Sequence, residues 1–169
     1  MNPVLAAWND ADEASAMNAI LSCCGARRWA RAMAALRPYS SVESLSLTAD
    51  RVWSTMEEPD WLEAFAAHPR IGGRKAPAAR TPASAWSEQE QSSTANTAKQ
   101  VLADLARGNS HYEERFGFTY IVCATGKSAE EMLAILGRRL TSDRETELRE
   151  AAEQQRQIMQ IRLGKWLVE

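Results

Sequence analysis

The sequence predicts an all-α protein, a single-domain helical bundle of about eight or nine helices. Two observations carry that prediction. Apolar residues recur at helical spacing along most of the chain, and its 8 glycines and 6 prolines fall mainly between the periodic stretches. Only one run, Phe118 to Cys123, is rich in β-branched and aromatic residues, and a lone strand has no sheet to join. An extended buried segment is therefore expected there.

Taken in order, Ala11 to Cys23 reads as a helix with Ala14, Met17, Ile20 and Leu21 on one face and Gly25 beyond its end. A second helix, Ala26 to Leu36, carries Trp29 and Met33 and stops before Pro38. Ser40 with Glu43 predicts a short capped helix, and Thr48 caps another through Met56. Pro59 suits the first turn of the next, which carries Trp61, Leu62 and Phe65 and ends at His68. Residues 69–86 hold three prolines and the Gly72-Gly73 pair, and read as a long loop. Gly72-Gly73-Arg74-Lys75 lacks the leading glycine and trailing Ser/Thr of a phosphate-binding loop. Ser87 opens a long helix to about Arg107, followed by a short one from Ser110 to Phe116. Ser128 caps a helix through Leu140, and Asp143 starts a last one that runs to about Leu167.

The totals narrow the function. The chain has 169 residues, 45% of them hydrophobic, and a net charge of −2. That length suits one domain with a real core. Acidic and basic residues are interspersed, so the basic footprint of a nucleic-acid binder is missing. No apolar run has the length of a membrane span. Met1 to Leu5 has no secretory character, and Lys165 to Glu169 has no address motif. Three cysteines, two of them adjacent, and no CxxC spacing predict buried thiols in a reducing cytoplasm. With two separated histidines and no cysteine cluster, no zinc site or other metal site is expected.

Three positions carry chemistry. His68 stands at a helix end just before Pro69, where carbonyl dipoles favour an imidazolium. It is either a helix cap or an acid–base group. Arg162 falls within about 40° of Leu148, Ala151, Gln155, Ile158 and Trp166 on a helical wheel. A cation in an apolar stripe is paired internally, snorkels to water, or clamps an anionic or carbonyl ligand. Gln91 likewise shares a face with Ala95, Ala98, Leu102 and Leu105, while Ser87 and Glu90 beside it fit a capping box. His111 lies among polar neighbours and reads as a surface residue.

Together these pieces resemble the ureidoimidazoline (OHCU) decarboxylases of urate breakdown. The resemblance rests on His68-Pro69-Arg70-Ile71-Gly72, on Trp86-Ser87 with Glu90-Gln91, on Arg115-Phe116-Gly117-Phe118 leading into Tyr120 to Gly126, and on Ile161-Arg162-Leu163. It runs from about residue 15 onward, and four boxes in order are specific. It implies an all-helical homodimer that needs no cofactor. The implied reaction converts 2-oxo-4-hydroxy-4-carboxy-5-ureidoimidazoline to (S)-allantoin with loss of carbon dioxide. The family's catalytic histidine falls on His68 and its active-site glutamate on Glu90. Its substrate-contacting residues fall on Ser87, Gln91 and Arg162, while Pro69 and Tyr120, Ile121, Val122, Cys123 and Ala124 line the pocket. Some members end in a peroxisomal tripeptide; this chain does not, which implies a cytoplasmic protein. A ligand-binding or interaction module without turnover, and an enzyme acting on a related ureide, are the alternatives.

Overall fold

The computed structural model describes residues 1–71 and 99–169. Among the described residues there are eight α-helices and no strand. They are α1 (Pro3–Asp10), α2 (Glu13–Ile20), α3 (Arg27–Ala35), α4 (Val42–Ser54), α5 (Glu58–Ala66), α6 (Lys99–Phe116), α7 (Ala129–Arg139) and α8 (Arg144–Trp166). None is long and apolar enough to cross a membrane. The chain divides into two compact units, Met1–Ala64 with Arg156–Glu169, and Phe65–Gln155.

The first unit is built on large side chains whose polar ends are tied to backbone. The Trp8 ring stacks on Tyr39 at 5.7 Å and meets Trp166 edge-on at 5.5 Å. Its indole N–H donates to the Ala16 carbonyl (2.8 Å), as that of Trp29 does to Ala49 (3.1 Å). Leu5, Ile20, Met33 and Leu45 are fully buried around them. Helix α1 was not expected, although its signals are local: Asn2 Oδ1 caps it by accepting from the Leu5 N–H, and Pro3 opens it. The Asn2 amide also donates to the Leu167 carbonyl (2.9 Å).

Three expectations along residues 11–68 need correcting. Helix α2 starts at Glu13 behind Asp12, and Ala14 is exposed while Ala16 takes the inward position. Second, the two short helices expected across 40–56 are one. Ser41, not Ser40, caps α4, and Thr48 sits buried inside it, its hydroxyl accepting from Arg51 (3.0 Å). The stripe Leu45, Thr48, Ala49, Val52 and Trp53 buries one continuous face, and that burial outweighs the capping preference of one threonine. Third, α5 stops at Ala66, so His68 stands beyond the helix rather than on it.

In the second unit α6 runs unbroken through Gly108-Asn109-Ser110, where an interruption was expected. The start expected at Ser87 lies outside the described residues. Gly108 lets α6 approach α7: a Cβ there would stand 2.5 Å from Leu136 Cδ2. Tyr112, Phe116, Phe118 and Tyr120 form an aromatic cluster, and Phe65 joins it through Phe118 at 5.4 Å.

The run 118–123, expected to be a buried segment outside any sheet, is neither helix nor strand, and all of it but Thr119 is buried. Side chains from three helices satisfy its backbone instead. Buried Asn109 of α6 accepts from the Tyr120 N–H (2.8 Å), and Gln154 of α8 from the Cys123 N–H (2.8 Å). Arg139 of α7 donates to the Ile121 carbonyl, and Lys127 to that of Cys123.

Candidate active site

Backbone and side chain both hold His68. Its N–H donates to the Phe65 carbonyl (3.1 Å), which keeps the residue against the end of α5 after the helix has stopped. Pro69 disfavours the α region for His68, in keeping with the helix ending before it. The half-buried imidazole puts Nε2 2.6 Å from Oε1 of Gln155, an α8 residue with no exposed surface. A side chain that served only as a helix cap would turn to the terminal carbonyls, whereas this one turns to a buried amide.

Sequence reasoning put Gln155 on the face shared with Arg162 but gave it no role. The available signal was the same as for Arg162, a polar residue in an apolar stripe. Its other amide arm is unsatisfied: Gln155 Nε2 is buried without a hydrogen-bond partner, one of two such side-chain atoms among the described residues, with Trp61 Nε1.

The segment expected to line the pocket belongs to the same unit. Tyr120, Ile121, Val122, Cys123 and Ala124 are all buried. The Tyr120 hydroxyl donates to the Met132 carbonyl (3.0 Å), and burial pushes its pKa well above the usual phenol value. Its hydrogen bond ties the segment to α7. A buried ion pair braces the segment from behind. Arg139 Nε meets Glu147 Oε1 at 2.7 Å, and the Tyr112 hydroxyl donates to the same oxygen (2.5 Å). The Arg139 guanidinium also lies over the Tyr120 ring, 5.0 Å from its centroid. This brace was missed in the sequence.

Arg162 is buried, as its place on the wheel requires, and belongs to the first unit. There its charge acts on two buried thiols, opposing but not overcoming the effect of burial. The Cys24 pKa is pushed up to about 12 and that of Cys23 higher still. All three cysteines are free and buried. Ser87, Glu90 and Gln91 lie outside the described residues. Among the described residues no group of three or more His, Cys, Asp or Glu side chains is placed to hold a metal ion.

Comparison with known proteins adds the family. The model of the OHCU decarboxylase family matches residues 9–164. The chain belongs to that family. Among its relatives is the uric acid degradation bifunctional protein TTL of Arabidopsis thaliana, 36% identical over 144 residues. That match takes in 85% of this chain and 44% of the plant protein, so the chain spans under half the length of that relative. The 2-oxo-4-hydroxy-4-carboxy-5-ureidoimidazoline decarboxylase of Haloferax volcanii is 28% identical over 131 residues, 76% of this chain and 74% of the archaeal one. Among solved structures, a crystal structure of OHCU decarboxylase in the presence of (S)-allantoin superimposes with a TM-score of 0.74 at 36% identity, covering 88% of this chain and 96% of that one. The match of the family model places both His68 and Arg162 inside the family's domain.

Proposed function

We propose that this protein decarboxylates 2-oxo-4-hydroxy-4-carboxy-5-ureidoimidazoline to (S)-allantoin, with His68 as its acid–base group. The observation that carries the reading is the imidazole of His68, half-buried and gripped by a buried amide, within a chain of this family. The substrate's chemistry fits such a group. The bond from the hydroxyl-bearing carbon to its carboxylate breaks and carbon dioxide leaves. The electron pair forms a double bond to the neighbouring ring carbon, whose C=N electrons move onto nitrogen, which takes a proton. The resulting enol loses its hydroxyl proton, and the neighbouring carbon gains one from a single face to give the ring carbonyl. The substrate's own C=N receives the electrons, so the reaction asks the protein for proton transfer, orientation and charge stabilisation.

His68 handles the hydroxyl proton and the later carbon protonation, and Glu90 orients the ring or shares the relay. Arg162 steadies the charge that develops on the heterocycle. Ser87 and Gln91 fix it by hydrogen bonds, and Pro69 with the 120–124 segment walls it. The family match extends across both compact units, which supports treating the chain as one functional domain. The three free buried cysteines support a reducing cytoplasm, and the resemblance supports a homodimer, which sedimentation tests directly.

The deciding experiment supplies freshly oxidised urate and follows optical rotation. Wild type should yield (S)-allantoin faster than the spontaneous background. His68→Ala should lose activity by about a hundredfold or more while its circular dichroism stays helical. Full activity in that variant would remove His68 from the reaction. No turnover by the wild type, with allantoin still bound, would make the chain a binding module.

A further inference from the structure

We infer that Gln155 positions His68 so that Nδ1 is the nitrogen that exchanges protons, and that the free arm of the same amide binds a substrate oxygen. The inference rests on the decarboxylase reading and deepens it. An amide oxygen carries no proton, so at 2.6 Å it accepts one from the ring. His68 Nε2 therefore keeps its proton in both the neutral and the charged imidazole. The nitrogen that gains and loses a proton is then Nδ1, and the hydrogen bond fixes the plane in which it does so.

The second half rests on burial. Gln155 is fully buried on a stretch of α8 where Ala151, Ala152, Ile158 and Met159 are also buried. Packing alone would be met there by an apolar residue. A glutamine brings two polar ends, and only one is used: Nε2 has no hydrogen-bond partner among the described residues. A buried donor left unpaired destabilises the fold, so it is retained where something else completes it. Because both ends belong to one planar amide, the group that receives Nε2 lies beside the group that grips His68. The OHCU ring offers acceptors of the right kind in its carbonyl and its carboxylate. One side chain thus ties the heterocycle to the acid–base residue.

The test uses the full chain with 15N-labelled histidine, and (S)-allantoin as the probe. The chain has two histidines, so a His111→Gln variant assigns the signals. Wild-type His68 should show the Nε2–H tautomer when neutral. Gln155→Met removes both arms and should bring in the Nδ1–H tautomer, with kcat and allantoin affinity each down by about tenfold. Gln155→Glu keeps an accepting oxygen and loses the donor. It should hold the Nε2–H form and still bind allantoin more weakly, which separates the two arms and covers the case in which the methionine variant does not fold. A neutral Nδ1–H tautomer in wild type, or wild-type allantoin affinity in both variants, overturns the inference. The nitrogen spectra need no turnover, so a wild type that fails to decarboxylate counts against the proposed reaction, while its tautomer still tests the role of Gln155.

Discussion

Arg139 and Arg162 are both buried to 4% exposure, and only one of them could be found by reading the chain. Arg162 stands mid-stripe on a long helix, where any cation is conspicuous. Arg139 is the last residue of α7, and a cation in a final turn is ordinarily explained by the helix dipole. Its burial comes from Glu147 and Tyr112, partners on two other helices that no local pattern reveals. Removing one member of a buried pair leaves the other charge uncompensated. Arg139→Met should therefore cost about 3–5 kcal/mol in urea denaturation. Adding Glu147→Leu should recover much of that loss. If Arg139→Met alone were neutral, the pair would not brace the 120–124 segment. Gln155 was half legible: the wheel showed an amide among apolar residues, but its partner stands 87 positions earlier, past the end of another helix.

At the scale of elements, capping was readable at Ser128 and Asp143, which open α7 and α8 as expected, and was passed over at Asp12. Asp12 caps α2 and Asp143 caps α8, each accepting from a backbone N–H three residues on (2.9 Å in both). The same signal misled at Ser40 and Thr48, because a cap is a local preference and the apolar face of α4 is continuous. The α6 break expected near Gly108 failed for a related reason: glycine there serves close packing on Leu136, not chain reversal. The caps have a pH signature. The Ser15 hydroxyl and then its N–H hold the Asp12 pKa below the ordinary carboxylate value; the Thr146 N–H and then its hydroxyl do so for Asp143. A carboxyl with a depressed folded-state pKa stabilises above its unfolded value, about 3.9, and that contribution fades as pH falls through the lower value. Asp12→Asn and Asp143→Asn keep the capping oxygen but not the charge. Their melting temperatures should approach that of wild type as pH drops from 5 to 2. Asp143→Ala, lacking both, should melt below both wild type and Asp143→Asn at neutral pH.

Across the whole molecule, the adjacent thiols set an alkaline limit. Cys23 and Cys24 are buried, and burial raises both pKa values above the ordinary thiol value of 9.0. A group with a raised folded-state pKa gives its full stabilisation below the unfolded value and loses it as pH climbs toward the folded one. Above pH 9 the unfolded chain ionises and the native one does not. Stability should then fall by up to about 1.4 kcal/mol per pH unit for each thiol. Cys23→Ala with Cys24→Ala should flatten that fall between pH 9 and 11, measured by chemical denaturation, and an unchanged slope would place the titration elsewhere.

The two units also differ in how the chain supplies them. Phe65–Gln155 is one uninterrupted stretch, whereas the first unit takes Trp8 against Trp166, Ser46 against Gln160 and Asn2 against Leu167. During synthesis the ribosome must release residues 156–169 before α1 and α4 can meet the side chains that complete their core. The earlier-numbered helices thus complete their core only with residues that the message encodes more than a hundred codons downstream.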